Sequence, residues 1–397
     1  MSGNVTKPER VVRGTVLVVC PGGLEHGGGI GRQMGYFLNA PGLQTLDWDY
    51  RVVDSRGTWF LGAAPHRVVA AGFYLLRSLA SLLAARLSGG PCIAHVNITG
   101  RGSTIRKIVL LNFARWIGLH YLLHVHDPAY ADDYRRRGRV MQRAVASVFR
   151  GAEMVLLLGQ GEQASLVPLM GLSPQIAHVL HNAVPDPHPA LPRRGGDGPC
   201  RLLFLGYLSA RKGVPELLRA LASDQLVAAN WELVAAGNGP VDEFRALAAS
   251  LGVADRIQFP GWLDEAGVQA ACAAADIIVL PSHAEGLAMA VLEGLAHGLA
   301  VVATPVGAHS EVIEPEVSGV LVPPGDIGAL ANALRRVIDD DALRARLQNG
   351  ARQRFLASFD VGAYAERLSQ LHGCLLAGQH PLATRPAPTP ASLAAES

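Results

Sequence analysis

The sequence predicts an α/β protein of two doubly wound domains, each a parallel sheet with helices on both faces. Three observations predict it. At 397 residues the chain is too long for one core. Short apolar runs alternate with helical stretches, the order that builds a parallel sheet. A Pro/Gly-dense segment, "PDPHPALPRRGGDGP" at 185–199, separates two such series and reads as a linker.

In the first series, "TVLVVC" (15–20) is a buried strand running straight into glycines. "CIAHVNI", "HYLLHVHD" and "EMVLLLG" are further strands, separated by helices such as 104–116. The second series reads "RLLFLGYL", "WELVAAG", "RIQFPG", "ADIIVLPS", "AVVATPVG" and "GVLVPPGD", again with helices between. The expected boundaries are an amino-terminal domain at 1–188, a linker at 189–199 and a carboxyl-terminal domain at 200–360. A helix at 361–377 should pack back toward the first domain. The Pro/Ala/Ser-rich tail, 378–397, is expected to be disordered.

Hydrophobic residues make up 49% of the chain and charged ones 17%, the composition of a globular protein with ample core. Residues 1–190 hold 19 Lys+Arg against 11 Asp+Glu, and the remainder 16 against 22. The basic first half favours an anionic partner such as phosphate or a membrane surface. No aromatic platform accompanies its arginines, which argues against nucleic acid. Five cysteines (Cys20, Cys92, Cys200, Cys272, Cys374) are scattered without a Cys-x-x-Cys, the pattern of free thiols in a reducing cytosol. The start, "MSGNVTKPERVVRG", lacks an apolar signal core. "RVVAAGFYLLRSLASLLAARL", from Arg67, has a longest uncharged run of nine, short of the roughly 20 a spanning helix needs. It reads as an amphipathic or buried helix, with surface-lying membrane contact as the lesser alternative.

Ligands of such sheets sit outside the carboxyl ends of strands, so strand-to-helix loops carry the chemistry. "HAEGLAMAVLEGLAHG", from His283, puts Glu285 in a loop and Glu293 about two turns into a helix, roughly 12 Å on by helical rise. Buried carboxylates need partners. Sugar hydroxyls suit them, and the amides of Gly286, Leu287 and Ala288 at the helix start suit a phosphate. A solvated acid on an exposed helix face is the plain alternative. In "SARKG", Arg211 and Lys212 precede another helix, and the chain has only three lysines. Such a pair stabilises a departing diphosphate. "AAGNGP" adds a Gly-rich turn. "CPGGLEHGGGIGRQMGYFL" follows the first strand, so backbone can approach a ligand and a helix N-terminus can face phosphate. Its Gly29, Gly31 and Gly35 give G-x-G-x-x-x-G, which departs from a dinucleotide fingerprint, and no clear second strand ends in an acid, though Asp54 lies near.

Together, "RKG", "AAGNGP", "PSHAEGLAMAVLEGLAHGLAVVATPVGAHSEVI" and "SGVLVPPGD" resemble the carboxyl half of family 4 retaining glycosyltransferases. The resemblance covers nearly the whole folded chain and is most specific across 200–340. It implies the GT-B architecture, two Rossmann-like domains facing a cleft. It also implies that Arg211 and Lys212 bind the donor diphosphate beside Gly206 and Gly237. Glu285 then lies by the donor sugar, and Glu293, second acid of an E-x7-E motif, holds the ribose. Gly286, Leu287 and Ala288 offer backbone to sugar and phosphate, where members usually carry a bulky residue and then glycine. Gly29 and Gly31 sit by the donor phosphates, and Gly28 by the acceptor.

By the same resemblance His126, ending a strand, contacts sugar and acceptor, and Arg106 and Lys107 contact the acceptor. A packed strand histidine and a solvated helix face are the plain alternatives. A zinc site at His124, His126 and Asp127 lacks a second ligand pair. The triplets Asp47–Asp49 and Asp339–Asp341 follow no well-placed strand end. No metal and no cofactor is expected. The basic stretches "STIRK" (103–107) and "YRRRGRVMQR" (134–143) read by default as solvated helix faces, with contact to anionic lipid or pyrophosphate as the functional alternative. The reading is hexose transfer with retention from a UDP- or GDP-linked sugar to a hydroxyl acceptor, with Arg211, Lys212, Glu285 and His126 catalytic. The expected acceptor is a lipid-linked saccharide in bacterial polysaccharide assembly, at the inner face of the cytoplasmic membrane. A catalytically silent nucleotide-sugar-binding subunit and a phosphorylase or synthase acting on a soluble acceptor are the alternatives.

Overall fold

The structure, a computed structural model, describes residues 14–25, 28–43, 48–57, 64–100, 102–187 and 198–378. Most of the expected linker and tail lie outside the described residues.

The amino-terminal domain runs β1 (Gly14–Cys20), α1 (Gly28–Leu38), β2 (Trp48–Asp54), α2 (Ala64–Leu87), β3 (Cys92–Ile98), α3 (Gly102–Trp116) and β4 (His120–Val125). It continues through α4 (Tyr130–Arg135), α5 (Arg139–Arg150), β5 (Met154–Leu157), α6 (Gln160–Met170) and β6 (Ala177–Val179). Its sheet order is β2-β1-β3-β4-β5-β6, all parallel. β2 was not anticipated. As "WDYRVVD" at the sheet edge it carries polar residues and buries only Val53 fully, so it lacks the apolar run of a central strand.

The carboxyl-terminal domain runs β7 (Cys200–Leu205), α7 (Val214–Leu221), β8 (Trp231–Ala236), α8 (Val241–Ser250), β9 (Ile257–Gly261), α9 (Glu265–Ala274) and β10 (Ile277–Leu280). Then come α10 (Met289–Ala296), β11 (Ala300–Ala303), α11 (His309–Val312), β12 (Gly319–Leu321), α12 (Ile327–Asp339) and α13 (Asp341–Ser358). The order β12-β11-β10-β7-β8-β9 reverses direction between β7 and β10. A crevice opens at such a switch point, so the loops after β7 and β10 are the physically favoured ligand site.

The last helix, α14 (Val361–Leu376), returns to the first domain and packs on α1 and β3. Where the chain crosses between domains, its two passages are stapled. Val184 N–H donates to Phe359 O at 3.1 Å and Val361 N–H to Val184 O at 3.0 Å. Arg352 Nη2 donates to both oxygens of Asp186 at 2.8 and 2.9 Å, a charge-assisted hold on the same passage. Asp339–Asp341 serves helix ends: Asp340 caps α13, and its neighbours pair with Arg335 and Arg344.

Leu368 of α14 is fully buried. Leu368→Ala should cost about 2–5 kcal/mol in chemical denaturation; a loss below about 1 kcal/mol would show that α14 is not an integral part of the first domain.

Candidate active site

The two loops at the switch point are built onto one another. Gly213, at φ +72°, starts α7 in a conformation glycine tolerates, and a Cβ there would fall 2.0 Å from Pro281 O after β10. His283 N–H donates to Arg211 O at 2.8 Å, and the Arg211 guanidinium returns to Ala284 O at 2.8 Å. Lys212 and Glu285 therefore meet: Nζ lies 2.5 Å from Oε1, an ion contact without hydrogen-bond alignment, and both side chains are largely buried. Gly206 lies against this lysine, 3.6 Å from Cβ position to Cε. Gly237 is instead buried between the loops after β7 and β9, with its N–H on Gly261 O at 2.7 Å.

The loop carrying Glu285 is pinned from behind. Ala308 N–H donates to Gly286 O at 2.7 Å, and Gly307, at φ +58°, leaves no room for a Cβ beside the Glu285 and Gly286 carbonyls. His309, which sequence reasoning missed, is buried under the start of α10. Its Nδ1–H donates to Thr304 O at 3.0 Å, and its Nε2 accepts the Ala288 N–H at 3.4 Å. That corrects the expectation of a free Ala288 amide. Leu287 and Ala288 side chains are buried, and Leu287 O accepts from Asn182. The helix itself begins only at Met289, so Glu293 lies in its second turn and the 12 Å helical spacing does not apply.

Glu293 is 2% exposed and finds its partners in the other domain. Arg32 Nη1 donates to Oε1 at 3.1 Å, and the Tyr36 hydroxyl joins the group. Burial raises the carboxyl above its ordinary range while Arg32 opposes that rise. Both partners sit on α1, whose first residues Gly28 and Gly29 are exposed. Gly31 is different. A Cβ there would lie 2.5 Å from Leu24 O, so it packs helix against turn. As expected, "GIGRQMGYFL" opens a helix, and α1 begins at Gly28.

Across the cleft, the end of β4 faces Gly286, whose Cβ position is 3.8 Å from His126 O. His126 Nε2–H donates to Asn97 Oδ1 at 2.7 Å, and Asn97 Nδ2 donates to Val19 O. This fixes the tautomer and leaves Nδ1 as acceptor. Burial pushes His126 down to about 3, so it is neutral at ordinary pH. Its ring stacks at 4.1 Å on His124, the end of a buried chain. His124, His95 and His372 are linked at 3.2 Å each, and His372 reaches Tyr50 at 3.2 Å. The strand histidines thus tie α14 to the floor under His126.

Lys107 overturns its expectation. It is 1% exposed, and its Nζ donates to Ser55 Oγ at 2.8 Å below the ends of β1 and β2. Position 107 falls on the buried face of α3 with Ser103, Leu110, Leu111 and Ala114. Arg106 beside it is half-buried. Asp54, nearby, accepts the N–H groups of Gly22, Arg56 and Gly57 at 2.8–2.9 Å, shaping the turn after β1. The basic α4 stretch is also quieter than expected: Arg135 pairs with Asp132 at 2.8 Å and Arg137 with Asp133 at 2.6 Å.

Residues 196–354, which hold both switch-point loops, match the family described as glycosyl transferases group 1. The carboxyl-terminal domain belongs to that family. A glycogen synthase of Mycobacterium tuberculosis is 33% identical over 185 residues, 46% of this chain and 45% of that one. The chain spans about half the length of the curated relatives it matches. Sucrose-phosphate synthase from Thermosynechococcus elongatus superposes with a TM-score of 0.70 at 22% identity, over 92% of this chain and 100% of that one. Anabaena HepE in complex with UDP does so at 0.69 and 16%, over 91% and 99%. At these identities the likeness speaks for the fold, and that fold is GT-B. The group 1 domain accounts for the Arg211, Lys212 and Glu285 loops, and the amino-terminal domain supplies Arg32 and His126.

Burial drives Lys107 down to about 7 in the folded protein, against roughly 10.4 in an unfolded chain. The unfolded state therefore binds more protons between those values, so this residue's contribution to stability rises with pH there and its full penalty persists below. Lys107→Met should stabilise the protein at neutral pH by on the order of 1–3 kcal/mol and flatten the rise of Tm toward alkaline pH. Thermal scans across that range check it; a variant less stable than wild type throughout would refute the assignment.

Proposed function

We propose that the protein transfers a hexose, with retention, from a nucleoside diphosphate sugar to a hydroxyl acceptor. The observation that carries this is the convergence of Arg211, Lys212 and Glu285 at the switch point of the group 1 domain, facing His126 across the cleft. A pyrophosphate there meets the Lys212 ammonium, the Arg211 guanidinium and the uncapped start of α10. These charges stabilise the leaving diphosphate in place of a metal ion. The departing phosphate oxygen takes the acceptor proton on the same face of the sugar. Glu285 and the Nδ1 lone pair of His126 accept hydrogen bonds from sugar hydroxyls, and Glu293 takes those of the ribose. That HepE is known with UDP supports a nucleoside diphosphate donor, with the base left to either UDP or GDP. The excess of positive charge on the first domain supports an anionic, lipid-linked saccharide as acceptor, and five unpaired cysteines support a cytoplasmic setting.

Arg211→Ala and Lys212→Ala should each lower transfer at least a hundredfold, and chelator should leave wild-type activity intact. Arg211→Ala should keep Tm within a few degrees of wild type, while Lys212→Ala, which strips Glu285 of its cation, should melt earlier. Unchanged turnover in either variant, or chelator loss restored by Mn²⁺, would sink the scheme. A thermal-shift panel of UDP- and GDP-sugars identifies the donor.

In this reading the ribose displaces Arg32 from Glu293. Arg32→Ala removes the competitor, so the shift induced by the preferred nucleotide sugar should grow while the unliganded protein melts earlier. A diminished shift would mean that Arg32 binds the donor itself.

A further inference from the structure

The layer α2–α3–α5 on one face of the first sheet carries a surface that the cleft chemistry does not use. On α2, Val69, Phe73, Leu76, Leu83 and Leu87 follow one another at intervals of three, four and seven. They form a seam about 27 Å long at helical rise. This seam faces outward: Val69, Phe73, Leu76 and Leu87 are 60–75% exposed. α3 packs beside α2 and adds Ile105, Val109 and Trp116, the last 80% exposed. α5 packs beside α3 and adds Val140. A contiguous apolar face of this kind marks an interaction surface.

The charge around the seam selects the partner. None of the three helices contains an Asp or Glu, and they expose Arg77, Arg86, Arg115, Arg139, Arg143 and Arg150. Among the described residues none of these six is ion-paired, in contrast to Arg135 and Arg137 of α4. A protein partner helix would need carboxylates opposite every one of these arginines. An anionic bilayer surface provides negative charge at every point, with acyl chains beneath for the apolar side chains.

The stretch Val69–Leu87 is also long and apolar enough to span a membrane, and only 22% of it is buried. Spanning is excluded by its inner side. Ala70, Ser78, Leu82 and Ala85 are packed against the domain, so the helix cannot leave without uncovering the core. The helix must therefore lie in the plane. We propose that the α2–α3–α5 face docks on an anionic lipid surface, the apolar seam entering the headgroup layer and the arginines engaging lipid phosphates. Docking is independent of the reaction assigned above, and its failure would leave that reaction standing.

The test is co-sedimentation of the full chain with phosphatidylcholine vesicles with and without phosphatidylglycerol, alongside sedimentation velocity without lipid. Wild type should bind the anionic vesicles, more weakly at high salt. Phe73→Asp combined with Leu76→Asp, both exposed, should lower the bound fraction roughly tenfold or more with unchanged Tm. Arg135→Glu with Arg137→Glu should bind as wild type. Equal binding by the α2 pair, loss confined to the α4 pair, or no binding by wild type would each overturn the proposal. So would concentration-dependent dimers that the α2 substitutions abolish in the absence of vesicle binding, since the face would then be a contact between copies.

Discussion

Two carboxylates buried within one apolar loop and helix each require a cation, and the rest of the site follows from how that requirement is met. Glu285 is answered inside its own domain, by Lys212 from the loop after β7. Glu293 is answered from the other domain, by Arg32. The first pair draws together the two loops that flank the switch point. The second draws the start of α1 onto α10 and so closes the cleft from one side. Replacing Glu285 by a neutral group would leave the largely buried Lys212 ammonium without its carboxylate, whereas Arg32, 29% exposed, can turn to solvent when Glu293 is neutral.

Backing groups hold these acids where they can act. His309 is neutral, its ring spent on Thr304 O and the Ala288 amide, so it supports the start of α10 without adding charge. Glu311, in the same short helix α11, crosses to the first domain, where it accepts the Gln160 N–H at 2.7 Å and pairs with His181 at 3.1 Å. The loop holding Glu285 is thereby fixed to both domains within a few residues. On the opposite wall, Asn97 sets the tautomer of His126, and the histidines beneath it extend the support to α14. That chain is continuous only as far as His124, which meets His126 by ring stacking. It therefore positions His126 and does not conduct protons to it.

What the sequence made legible was local. Central strands such as "TVLVVC" and "IIVL" are buried on both faces and read as unbroken apolar runs, so the two-sheet architecture was visible. The edge strand β2 was not, because only one of its seven residues, Val53, is fully buried. Arg211, Lys212 and Glu285 were readable because strand-to-helix loops at a switch point are short and chemically distinct. Arg32 was not, because its partner lies 261 positions away and nothing in "GIGRQMGYFL" distinguishes a cleft arginine from a surface one. Lys107 was misread for the opposite reason. Only the register of α3 shows that a lysine in "STIRK" points inward.

The placement of charge also sets an order of events. With the cleft unliganded, Lys212 is neutralised by Glu285 and Glu293 by Arg32, while the exposed Arg211 guanidinium rests on Ala284 O. In the proposed reaction, an incoming diphosphate would compete for Lys212 and release Glu285 toward hydroxyl groups, while a ribose would compete with Arg32 for Glu293. Each exchange swaps one partner for another within a largely buried site and avoids the cost of exposing a bare charge. Water alone cannot make the same exchange, because it lacks the anion that draws Lys212 away. On that proposal such a site would favour the donor over solvent, and discrimination would start with the electrostatics of the closed pairs themselves.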